Sequence, residues 1–338
     1  MHLDSTMTIR LLFVVGLAIL QLGAQPRLEA ELARVRSQIN TSAPADQRET
    51  LIQRLDRAEA ASKAGRTYQA VYLLEAPYHG AAVFAFAASS GVKTLEAFVE
   101  KWTRLGPPKP LTGGSGRGPA VIDALAEASE DRGPTTYLAS RPYAEDAGVD
   151  AGLYYLGESY AAMDFAAFVR SGSWPAAGHR PAFRSIALEL AALDREMTTK
   201  YETMERTSHP IYIRASAALK QARSLNDHGA FEGALFEYLL SRYLFAPLRG
   251  LPAAANRERL DAARRSLSDG KDHSIAELFV QFAEEGLASD DAGLRSGAAA
   301  VTADVVPAYL AAIAPARPST SSDTRAAVTI TLVRWPFT

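Results

Sequence analysis

Residues 215–247, ASAALKQARSLNDHGAFEGALFEYLLSRYLFAP, decide how this chain is read. Ala218, Ala222 and Leu225 recur at the spacing that lines one face of a helix. His228-Gly229 interrupts that pattern, and glycine ends helices because it enters the left-handed conformation without a Cβ penalty. A second helix starts at Phe231, carries Ala234, Leu235, Tyr238 and Ser241, and is closed by Pro247. Two helices joined by so short a turn lie antiparallel and share an apolar seam.

The same pattern extends outward. Residues 28–40 and 48–64 predict amphipathic helices, the second lined by Leu51, Leu55, Ala58 and Ala61. Ala64-Gly65-Arg66 makes a turn like that at 228–229, and a helix from Tyr68 is expected to stop near Pro77, before a buried Ala-rich helix at 79–90. Further helices are expected at 93–105, 120–130, 135–145, 150–163, 181–206, 255–268, 274–288 and 292–314. Ser274 with Glu277 reads as a capping box. No stretch before residue 318 alternates as a strand does, whereas Val328-Thr329-Ile330-Thr331-Leu332 does.

The paired helices resemble the tetratricopeptide family. That signature asks for Ala-x3-Phe in the second helix and a closing proline, and Ala234-x3-Tyr238 and Pro247 are close versions. Leu153-x2-Leu156-Gly157-x2-Tyr160 matches the first-helix signature apart from its leading aromatic. The resemblance implies an all-α fold, an irregular right-handed α-solenoid of antiparallel helix pairs, here followed by a short strand-like tail. It also implies a binding surface in place of a catalytic pocket.

Composition bounds the function. The 338 residues are 48% apolar and carry a formal charge of -2, which is no field for nucleic acid. There is no cysteine, so disulfides, thiolate metal sites and a lipid-attachment thiol are absent. Arg10 followed by the apolar run 11–20 and Gly23-Ala24 has the order of a secretory signal peptide, with Met1 or Met7 as its start. The expected organisation is therefore a signal peptide over 1–24, helical hairpins over 25–105, a Pro/Gly-rich linker over 106–119, a helical-repeat region over 120–315 and a tail over 316–338. The product is expected in the periplasm or secreted, with no membrane span after cleavage.

Candidate sites are few. The six histidines show no metal-ligand spacing, and the Gly-rich loop 113–118 lacks the Gly-Lys-Ser/Thr ending of a phosphate loop, so no metal or cofactor is expected. Tyr154, Tyr155, Tyr238 and Tyr243 are the expected contacts for a protein or peptide partner, with Trp335 and Phe337 acting through the tail. Glu158-Ser159 in a helical array resembles the catalytic Glu-Ser of lytic transglycosylases, without the Gly-Leu-Met-Gln run that follows it there. Glu158 is therefore expected to be a solvated carboxylate. A glycan-cleaving enzyme and a helical carrier for a small ligand are the alternative functions.

Overall fold

The computed structural model describes residues 27–109, 118–174, 178–250 and 257–313. The expected signal peptide, most of the Gly-rich loop and the tail with Trp335 and Phe337 lie outside them. Among the described residues the chain forms twelve helices and no strand, with one isolated bridge between His179 and Lys271.

Six helices make the first half: α1 (27–42), α2 (Ala45–Lys63), α3 (Thr67–Ser89), α4 (Leu95–Leu105), α5 (Ala120–Ala147) and α6 (Val149–Arg170). Six make the second: α7 (Ala187–Tyr201), α8 (His209–Asp227), α9 (Phe231–Arg249), α10 (Arg257–Ser266), α11 (Ser274–Leu287) and α12. Helix α12 runs from Ala292–Ala300 through a π turn, Val301–Val305, into Val306–Ile313.

The stretch 215–247 is a helix–turn–helix as its spacing predicts, within the larger pair α8–α9. Gly229 has φ 78°, the Gly229 N–H donates to Asn226 O, and the Ala230 N–H reaches back to Leu225 O. The turn at Gly65 repeats this arrangement: φ is 74°, Gly65 donates to Ser62 O and Arg66 to Ala61 O. Both are Schellman stops, and a side chain at either glycine would strain the left-handed backbone.

The likeness of these two hairpins is part of a wider correspondence between the two halves in helix order and contacts. Helices α2 and α8 each run 19 residues, and their starts, Ala45 and His209, lie 164 positions apart, as do those of α3 and α9, Thr67 and Phe231. Helices α5 and α11 start at Ala120 and Ser274, 154 positions apart. The contacts between halves are reciprocal: α3 packs on α11 and α9 packs on α5. Glu127 of α5 accepts the Gly233 N–H in the first turn of α9 at 2.8 Å, and Gln281 of α11 accepts the Gln69 N–H in the first turn of α3 at 2.9 Å. Glu127 and Gln281 are equivalent positions, and so are Gly233 and Gln69. One polar side chain from each half thus satisfies orphan amides at a helix start in the other.

This arrangement departs from an open solenoid, in which each repeat meets only its neighbours. Here the first hairpin also meets the last: Tyr72 packs edge-on against Phe282, and Arg57 pairs with Glu285 at 3.1 Å. The all-α class stands, and the array closes on itself. Helices on both sides of the 106–119 segment share one core, with α3 lying on α6.

Several expected boundaries differ. Helix α3 runs through Pro77, and α5 runs through Pro134, joining the expected helices 120–130 and 135–145. Each proline removes one ladder bond, but Pro77 is buried in a helix whose flanks bury Leu74, Tyr78 and Ala81, so packing on both sides outweighs the local loss. Residues 181–186 are not helical; Asn226 takes the Ile186 N–H at 2.9 Å and sets the start of α7 there. The Leu-Gly signature of 153–160 lies in α6, whose antiparallel partner is the preceding helix α5 and not a following one. Gly157 serves a different contact: a Cβ there would lie 3.3 Å from Val83 Cα, so its absence lets α6 sit directly on α3. Ser274 forms no capping box; its hydroxyl accepts the Val121 N–H at 3.0 Å, beside an Asp272 carboxylate that accepts the Ala120 N–H at 2.6 Å.

The continuous helix Gly293–Ile313 is long and apolar enough to cross a membrane by length and composition. Half of its most apolar stretch is buried inside the fold, and its Asp304 pairs with both Arg242 and Arg249 of α9. A core helix has this packing.

Candidate functional site

A half-open cleft of about 1020 Å³ lies between the first hairpin and helices α5, α6 and α8. Helical periodicity supplies its walls. Thr50, Arg54 and Arg57 follow one another at helix-face spacing on α2, as do Tyr72, Glu75 and His79 on α3 and Tyr154 and Glu158 on α6. Arg132 comes from α5, and Arg214 reaches the cleft from the second half.

The charges are segregated. At the inner end the Arg132 guanidinium donates to Glu75 at 2.8 Å, and Glu75 also accepts from Ser129 at 3.3 Å. Glu158 and the buried Glu237 of α9 act on the same guanidinium, so three carboxyls share one cation. Burial pushes Glu237 up to about 8, against the pull of Arg132 and with the help of Glu75, so it holds its proton at neutral pH. Burial also raises Glu158 above the ordinary carboxyl range, with Arg132 opposing and Glu75 adding to the shift.

The rim is basic. Arg54 and Arg214 are exposed, and among the described residues neither has an ion-pair or hydrogen-bond partner. Arg57 stands beside them, paired with Glu285. Asp46, in the first turn of α2, is the one acid lining the cleft at this end.

His79 is buried, and its Nε2 has no hydrogen-bond partner. Burial lowers its pKa to about 4 despite the nearby Glu75, leaving a neutral imidazole. A buried ring nitrogen without a partner is uncommon.

The correspondence shows which of these groups the fold requires. The positions equivalent to Arg54, Glu75 and His79 are Ala218, Leu239 and Tyr243, and Arg132 corresponds to Gly286. Leu239 is fully buried, and Tyr243 packs on Phe279 and Phe282. The same architecture therefore closes around apolar side chains in one half and opens onto charged ones in the other. Glu237 and Arg214 are the exceptions, ionisable residues where the first half has Leu73 and Thr50, and both face the first half's cluster or cleft.

The tyrosines expected as contacts separate into three groups. Tyr154 is 42% exposed and lines the cleft beside Glu158. Tyr155 lies outside it, stacked on Tyr143 with ring centroids 4.0 Å apart. Tyr238 and Tyr243 do not form a partner surface: Tyr238 is in the core with its hydroxyl taken by Arg242 at 2.7 Å, and Tyr243 is wedged between α11 and α12. Their helical spacing served packing. Glu158 is not the solvated carboxylate expected of it. Sequence reading also passed over Arg54, Glu75, His79, Arg132 and Arg214, because each looks like an ordinary helix-face residue until the halves are laid over one another.

Among the described residues no three His, Asp or Glu side chains gather into a metal-holding group. Comparison with known proteins finds no matching family model, curated protein or solved structure.

Proposed function

We propose that this chain is an exported binding protein, without a reaction of its own, that holds a peptide or peptide-bearing partner in the cleft of its first half. One observation carries the reading: Arg54, Glu75, His79 and Arg132 line the cleft, while the corresponding positions of the other half are Ala218, Leu239, Tyr243 and Gly286. Groups that the fold does not need, placed together in a cleft, are the default recognition site. The signal-like N-terminus supports a place outside the cytoplasm, and the helix pairs support a scaffold with the tetratricopeptide manner of presenting helix faces.

A thermal-shift screen of the purified chain against peptides, sugars and nucleotides tests this. A ligand at 100 times its Kd stabilises by about 2.7 kcal/mol, which is several degrees in a protein of this size. Peptides should raise the midpoint, and the Arg54→Ala, Arg214→Ala double variant should remove the shift. No shift with any class of compound would sink the proposal.

Glu158 favours a second reading, because a half-buried carboxyl with raised proton affinity has the property of a general acid. A glycan-cleaving enzyme would release soluble fragments from cell-wall material, and Glu158→Gln would abolish the release. The binding reading expects no release from either form.

A further inference from the structure

We infer that the occupant is a short free peptide gripped at both ends, its ammonium group turned inward to Glu158 and Glu75 and its carboxylate held at the rim by Arg54 and Arg214. The inference rests on the binding reading above and names the ligand that reading leaves open.

Charge segregation is the first support. At the inner end the Glu75 and Glu158 carboxyls face one cation, Arg132, while Glu237 behind them keeps its proton, so a second cation entering there would find an acidic partner. Arg54 and Arg214 hold positive charge in excess at the rim, where Asp46 is the opposing acid. Tyr154 feels both Arg54 and Glu158, so the two regions are adjacent across one side chain. A simple anion bound at Arg54 would sit close to Glu158 and be repelled by it. A simple cation would leave both guanidiniums unanswered. A molecule with opposite charges at its ends satisfies both regions.

Size and interior chemistry are the second support. The cleft, about 1020 Å³, stands at the upper end of the roughly 300–1,000 Å³ range for small-molecule pockets. A single amino acid would leave most of it empty, whereas a few peptide units would fill it. His79 and Tyr154 add polar side chains to the same lining.

Isothermal titration of the full chain with trialanine, N-acetyl-trialanine, trialanine amide and inorganic phosphate tests the inference. Trialanine should bind, and blocking either terminus should weaken binding at least about tenfold, the effect of losing one charge-assisted contact. Glu158→Gln should weaken trialanine to a similar degree and make acetylation of no further consequence. Arg54→Ala, at an exposed position, should do the same for amidation. Equal binding of capped and free peptides, binding of phosphate alone, or undiminished sensitivity to capping in the variants would overturn it. If sugars or nucleotides shift the melting midpoint and peptides do not, this inference fails while the cleft remains a binding site. If nothing shifts the midpoint, both fail.

Discussion

Helices α3 and α9 begin alike and end in different chemistry. Each follows a Schellman turn with a left-handed glycine, and each has its first turn capped by a side chain from the opposite half. Yet α3 turns Glu75 and His79 toward a cleft, while α9 places Leu239 and Tyr243 against α11 and α12. What the two helices share is what the fold requires. What only α3 carries is left for function.

The comparison can be broken by exchanging residues. Leu239→Glu puts a carboxylate into a fully buried site with no built partner and should cost at least about 4 kcal/mol in urea denaturation, near the extreme for a point change. Glu75→Leu leaves Arg132 with Glu158 and should cost about 1–2 kcal/mol, while removing peptide binding. Equal costs for the two substitutions would erase the distinction between halves.

Two buried groups in this region should shape the pH profile with opposite signs. His79 titrates at about 4 when folded and near 6.5 when unfolded, so the unfolded chain holds the extra proton between these values. Stability is therefore lost as pH falls through that window, by an amount on the order of 3 kcal/mol. His79→Gln should flatten this acid limb. Glu237 is raised to about 8, so the folded chain keeps a proton that the unfolded chain has released. Its contribution is fully present below the ordinary Glu pKa and is lost as pH rises through 8. Glu237→Gln should raise the thermal midpoint above pH 8 and leave it little changed at pH 4. A wild-type midpoint that is flat from pH 4 to 9 would contradict both assignments.

The reciprocal caps give a smaller and more symmetrical effect. Glu127→Ala and Gln281→Ala should each cost about 1–2 kcal/mol, since each leaves the same kind of orphan amide in the opposite half. Only the first should also alter the pH profile near neutrality, because burial raises Glu127 to about 7. A marked inequality between the two at low pH would show that the halves do not support each other equally.

These contrasts explain what the sequence disclosed. Apolar spacing and the glycine stops at 65 and 229 identified the hairpins, because both are local signals that packing then reinforced. Prolines misled the reading at 77 and 134: both helices run on, and at Pro77 burial on both sides of the helix outweighed a lost backbone bond. Ser274 and Glu277 had the spacing of a local cap, but the hydroxyl was claimed by α5 from a distant part of the chain. The site was hardest to see. Tyr154 lines the cleft, but the same reasoning chose Tyr238 and Tyr243, which pack against other helices. Few residues match at the offset of 164 positions, so setting Glu75 against Leu239 and Arg54 against Ala218 needed the helix starts and the contacts between halves.

Hydrogen exchange followed by mass spectrometry, with and without saturating trialanine, tests the central claim most directly, because it reports each helix separately. The account expects slowed exchange in α2, α3 and α6 and in the first turns of α8 around Arg214, with α10, α11 and α12 unchanged. Protection centred on α9 to α12, or no protection in the first hairpin, would contradict it.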